Sequence, residues 1–134
     1  MAKLEEIEGI GPGYAAKLRK AGIRSTNDLL KKGATPAGRN EISKNSGISG
    51  KLVLEWVNHS DLFRIKGVGE EYADLLEEAG VDTVVELSKR KAEKLFETMK
   101  QTNEKKKLVR QIPGLSLVQE WIKQAKKLPR GIKY

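Results

Sequence analysis

Residues 8–23 read EGIGPGYAAKLRKAGI, with three glycines and a proline inside five positions and a helix-forming run directly behind them. Residues 66–81 read KGVGEEYADLLEEAGV and repeat the pattern in register with different charges. At an offset of 58, Gly9 pairs with Gly67, Ile10 with Val68, Gly11 with Gly69, Tyr14 with Tyr72, Ala21-Gly22 with Ala79-Gly80, and Leu29 with Leu87. At an offset of 65, LVLEWV at 52–57 answers LVQEWI at 117–122 and sets Trp56 opposite Trp121. One unit therefore occurs twice, with seven extra residues in the second copy inside KQTNEKKKLVRQIPG at 100–114. Two copies of one unit ordinarily pack to bury what neither buries alone.

The segments between the glycines have helical spacing. Tyr14, Leu18 and Ala21 share a face, and Gly22 ends that helix in the position glycine favours. Ser25 with Asp28, and Thr83 with Glu86, have capping spacing and open short helices ending near Lys32 and Lys89. Thr35-Pro36 starts a helix that runs to about Asn45. Another begins near Ser49 and turns Leu52, Val53, Trp56 and Val57 inward. Strand signals are nearly absent. The expected fold is all-α: about ten short helices in two repeats, 1–63 and 64–134, packed as one compact unit.

Bulk composition narrows the function classes. The 134 residues are 33% charged and only 5% aromatic, so the core must rest on Leu, Ile, Val and Ala. No run of about 18 apolar residues could span a bilayer, and MAKLEEIEG has no signal-peptide apolar stretch. With no cysteine, disulfides and thiolate metal sites are excluded. These features predict a cytoplasmic protein with no membrane partner. The net charge of +8 favours polyanions. It is unevenly placed: residues 1–63 hold ten basic and seven acidic side chains, 64–88 two and seven, and 89–134 fourteen and four. The second glycine segment is an acidic island.

A helix N-terminus offers unpaired N–H groups and about half a positive charge. Glycines in front of it leave no Cβ to block a close anion, so the pair makes a phosphate nest. Gly9, Gly11 and Gly13 would expose the amides of residues 11–14, with Lys17, Arg19 and Lys20 following. Such cations neutralise backbone phosphates without reading bases.

IEGIGPGYAAKLRKAGI resembles the helix-hairpin-helix motif, filled first by Ile7, Gly9, Ile10, Gly11, Ala15 and Leu18. Ile65, Gly67, Val68, Gly69, Ala73 and Leu76 fill it again. The whole chain resembles a prokaryotic family with tandem copies of this motif, known as a domain of unknown function. Proteins carrying the motif include ligases, repair glycosylases and polymerases. The resemblance implies low-specificity contact with the backbone of DNA or structured nucleic acid, and in some members a monovalent cation on hairpin carbonyls. The candidate binding residues are Gly9, Ile10, Gly11, Gly13, Tyr14, Lys17, Arg19, Lys20 and Arg24. In the second copy Glu70 and Glu71 occupy the place of the phosphate, followed by Asp74, Glu77 and Glu78. That copy reads as structural, or as a face for a basic protein partner. The rival function is thus an interaction or scaffold module whose hairpins serve packing.

Other signals have plainer readings. Ile42, Gly47-Ile48-Ser49, Val53 and Trp56 resemble a helix-turn-helix, but the start of the second helix lacks base-reading side chains, so capping and core roles are expected. Trp56 and Trp121 are read as core anchors. The basic runs 89–94, 104–110 and 123–133 are either solvated faces or a shared polyanion surface. His59 stands alone and takes a helix-end role; no metal constellation follows from it. No nucleophile–base pair or phosphate-loop lysine is present, so no enzyme and no cofactor are expected.

Overall fold

The computed structural model describes residues 3–134, and all regular structure among them is helical. A 3₁₀ turn at Leu4–Glu6 precedes eight α-helices. They are α1 (Pro12–Lys20), α2 (Thr26–Lys32), α3 (Pro36–Ser46), α4 (Gly50–Leu62), α5 (Glu70–Glu78), α6 (Val84–Ser88), α7 (Ala92–Lys106) and α8 (Leu115–Lys127). Eight among the described residues is fewer than the expected ten or so. Pro113-Gly114 keeps the connection before α8 irregular, and Pro129 with Gly131 leaves the tail without a helix.

The chain divides into two compact units. The first takes the chain up to Asp61 together with Gly131–Tyr134, and the second is Leu62–Arg130. Within the first, Leu4, Ile7, Ala15, Leu18, Ile23, Leu29, Val53 and Trp56 are buried. In the second, Val68, Ala73, Leu76, Leu87, Leu95, Met99, Val118 and Trp121 belong to one core.

The two units repeat their local bonding. Gly9 and Gly67 turn the chain at φ 94° and 95°, a region that only glycine enters without strain. Each turn closes with one bond, Ile10 N–H to Ile7 O and Val68 N–H to Ile65 O, both 3.1 Å. Helices α1 and α5 end alike: Ile23 donates to Leu18 O (2.9 Å) and Gly22 to Arg19 O (3.0 Å), while Val81 donates to Leu76 O (2.8 Å) and Gly80 to Glu77 O (2.9 Å). This double bond pattern satisfies carbonyls that the helix itself leaves over. The hydroxyls of Ser25 and Thr83 then accept from the amides of Asp28 and Glu86, each at 3.2 Å, and start α2 and α6.

The seven extra residues have a defined place. The first unit joins α3 to α4 through 47–49, whereas the second extends α7 to 15 residues and then runs irregularly through 107–114. Asn103 ties that connection down, its side chain donating to Val109 O (3.1 Å) and accepting from Val109 N–H (3.0 Å).

Candidate nucleic-acid interface

The first bend is built from a buried prop and an exposed mouth. Ile7 and Ile10 point into the core, and Trp56 lies beneath. A Cβ at Gly9 would meet the Trp56 indole Nε1 at 3.5 Å. The Tyr14 ring stands edge-on to Trp56 at 5.0 Å between centroids and keeps 37% of its surface in solvent.

At the mouth the helix begins without a side-chain cap. Gly11 is the N-cap and Pro12, which has no N–H, the first residue of α1. Ala15 N–H reaches Gly11 O at 3.0 Å. Among the described residues no hydrogen bond takes up the amides of Gly13 and Tyr14. A Cβ at Gly11 or Gly13 would meet nothing within 4 Å, and neither residue has positive φ. A glycine inside a helix costs about 0.5–1 kcal/mol relative to alanine. Neither packing nor backbone conformation calls for glycine at 13.

The cations fall into separate groups. Gly13, Lys17 and Lys20 follow at i, i+4 and i+7, one face of α1, and all are exposed. Lys17 Nζ lies 5.7 Å from the Tyr14 ring centre. Arg19 is on the other side, where Nη2 meets both Glu5 carboxylate oxygens at 3.0 Å. Arg19 and Glu5 side chains are 45% and 41% exposed. That guanidinium holds the Glu5 carboxyl below the ordinary carboxylate range. Arg24 is exposed and follows the C-terminal end of α1, after the chain has turned off the helix at Gly22. The structure thus brings Gly11, Gly13, Tyr14 and Lys17 together and places Lys20 one turn on. Arg19 is already paired, Arg24 lies after the other end of α1, and the Ile10 side chain is buried.

The second bend has the same backbone and a different mouth. A Cβ at Gly67 would come within 3.0 Å of Trp121 Nε1, and Tyr72 lies 5.3 Å from the Trp121 ring. The positions answering Pro12 and Gly13 are Glu70 and Glu71, which set two carboxylates on the first turn of α5. The positions answering Lys17 and Lys20 are Leu75, fully buried, and Glu78, which is in an ion pair with Lys106 at the end of α7. The Tyr72 hydroxyl donates to Gln111 O at 3.3 Å, so the extra segment reaches across it. Gln124 clamps Lys66 from both sides, accepting its N–H at 2.9 Å and donating to its carbonyl at 3.3 Å.

Several participants were invisible in the sequence pattern. Lys32 Nζ donates to Gly22 O at 2.8 Å, and its counterpart Arg90 donates to Gly80 O at the same distance. The matched offset of two cations was the available signal. The tail also returns to the first unit: Lys133 N–H donates to Ala34 O at 2.7 Å, Arg39 donates to Lys133 O at 3.0 Å, and Tyr134 donates to Asn58 Oδ1 at 3.0 Å. The basic run 123–133 is therefore divided between the units. Trp56 and Trp121 are core residues, and Ser49 caps α4 by accepting from Leu52 N–H at 3.3 Å. His59 lies buried in the last turn of α4.

Fold and site define a protein, all-helical among its described residues, that sets a glycine bend before a helix twice, once with a glycine and two lysines along the helix face and once with two exposed carboxylates at its mouth. The model of one family, described as Domain of unknown function (DUF4332), matches residues 8–128, and the chain belongs to that family. The match takes in both bends. No curated protein and no solved structure matches the chain. Among the described residues no helix is long and apolar enough to cross a membrane.

Proposed function

We propose that this protein binds the backbone of DNA or structured nucleic acid, without reading sequence, through the first of two helix-hairpin-helix elements. The observation that carries this reading is Gly13. It stands in the first turn of α1 with open space before it and an amide that no group among the described residues takes up, and Lys17 and Lys20 continue its face. A phosphate oxygen at that mouth accepts the Gly13 and Tyr14 amides at the positive end of the helix. Lys17 and Lys20 neutralise the neighbouring phosphates, and the Tyr14 hydroxyl adds a donor. Amides and ammonium groups suffice, so no cofactor enters the reading.

Contact with about three phosphates contributes about 3 to the slope of log affinity against log salt. Titration of a labelled duplex at about 50 mM salt tests the proposal. Lys17→Glu with Lys20→Glu should abolish the bend's contribution and leave the melting temperature nearly unchanged, because both side chains are exposed. Absence of binding by the unaltered protein would defeat the proposal. A second reading rests on the two carboxylates opening α5, with Asp74 one turn on: this face docks a basic protein. It predicts a stoichiometric partner that survives nuclease treatment and is lost when Glu70, Glu71 and Asp74 are neutralised.

A further inference from the structure

The second unit has a cationic cleft of its own, far in sequence from its acidic bend. Helix α8 packs against both α6 and α7. This brings the run 89–94 alongside the run 123–127, and a cleft of about 370 Å³ opens between them. Arg90, Lys91, Lys123 and Lys126 line it around an apolar floor at Ile122, with Glu93 as its one carboxylate.

The charges in this cleft are not equivalent. The Arg90 guanidinium is held by Glu86, at 3.2 and 2.9 Å, and by Gly80 O, so it serves the fold. Among the described residues no ion pair or hydrogen bond engages the ammonium groups of Lys91, Lys123 and Lys126. Lys123 and Lys126 are one turn apart on α8 and face the same way. Lys91 is the N-cap of α7, where the helix's own positive end disfavours a cation. Three unpaired like charges converging on one cleft repel one another. An anion seated among them turns that repulsion into attraction.

We infer that this cleft is a second phosphate-backbone contact, in which Lys91, Lys123 and Lys126 grip a nucleic-acid strand independently of the first bend. The inference rests on the nucleic-acid reading for its choice of ligand and on the cleft's charges for its place. Cations reach the cleft from two walls, as a strand lying along it requires. No aromatic side chain lines it to stack a base, so the contact is to phosphate and sugar and carries no sequence preference.

The test is fluorescence anisotropy of a labelled duplex, and of the corresponding single strand, over a salt series with the full chain. Lys91→Ala/Lys123→Ala/Lys126→Ala should lower the log–log salt slope by about 3 and weaken binding about tenfold or more near 100 mM salt. A charge-matched variant elsewhere, Lys100→Ala/Lys105→Ala/Arg110→Ala, should lose clearly less. Glu93→Gln should tighten binding about threefold, a gain that damage to the fold would not produce. Equal losses in the two triple variants, or no tightening by Glu93→Gln, overturn the inference. If the cleft variant binds as the unaltered protein does while Lys17→Glu/Lys20→Glu fails, the cleft is wrong and the bend stands. The reverse result keeps the cleft and removes the bend. Failure of the unaltered protein to bind either nucleic acid removes both.

Discussion

The two bends have one backbone and opposite surroundings. Both turn on a glycine with φ near 95° over a tryptophan, and both lead into a nine-residue helix that ends on a second positive-φ glycine. At the first mouth stand Pro12 and Gly13, with lysines at 17 and 20; at the second stand Glu70 and Glu71, with Leu75 and Glu78 behind them. The longer α7 and the segment after it engage α5 at both ends, through Lys106–Glu78 at its last residue and Gln111–Tyr72 in its first turn. Packing and turn geometry account for what the copies share. They do not account for Gly13, and that difference separates a fold requirement from a candidate binding feature.

The largest effect should come from exchanging the residues on the corresponding helix faces. Leu75→Lys forces an ammonium group into the second core and should cost about 3–5 kcal/mol in denaturant unfolding. Lys17→Leu, at the exposed counterpart, should move stability by less than about 0.5 kcal/mol. Similar values would mean that the two faces are not differently covered. Next come the bend glycines. Gly67→Ala meets Trp121 Nε1 at 3.0 Å as well as the positive-φ penalty, and should cost about 2 kcal/mol. Gly9→Ala, with 3.5 Å of room, should cost nearer 1 kcal/mol. The reverse order in thermal melts would show that the tryptophan beneath the second bend is not the closer one.

Gly13→Ala should go the other way and stabilise the fold by about 0.4–1 kcal/mol, since it removes backbone freedom and meets no atom. A loss of stability would reveal a fold role that the open space denies. The smallest effect is at the Arg19–Glu5 pair. Its folded-state carboxyl is held below the ordinary range, chiefly by the Arg19 hydrogen bond, so the unfolded chain takes up the proton first. The contribution is complete above the ordinary carboxylate range and disappears as the pH falls through the depressed value. Glu5→Gln should flatten that acid limb slightly in pH-dependent melts, and less so at high salt. An unchanged acid limb would show that the pair adds nothing.

What the sequence revealed and what it hid divides along the range of the interactions. Bends, caps and helix ends were legible because each depends on a few neighbouring residues: Gly22 and Gly80 after the helix, Ser25 and Thr83 three residues before an acidic side chain. The tryptophans were legible as core because the repeat set them in matched apolar patterns. The Arg19–Glu5 pair, the return of the tail and the reach of Gln111 to Tyr72 span 14 residues or more and carry no local mark. The same holds for the cleft, whose two walls are about thirty residues apart and meet only because α8 packs against both α6 and α7. The stripe of Gly13, Lys17 and Lys20 lies between these cases: its spacing was readable, but its exposure required the fold.

The most direct test transplants the second mouth onto the first. Pro12→Glu with Gly13→Glu places carboxylates where the phosphate is proposed to sit and leaves every lysine in place. Duplex anisotropy at about 50 mM salt, run beside thermal melts, should show affinity falling at least about tenfold while the melting temperature stays within about 2 °C. Affinity equal to that of the unaltered protein, on a chain that melts normally, would contradict the account.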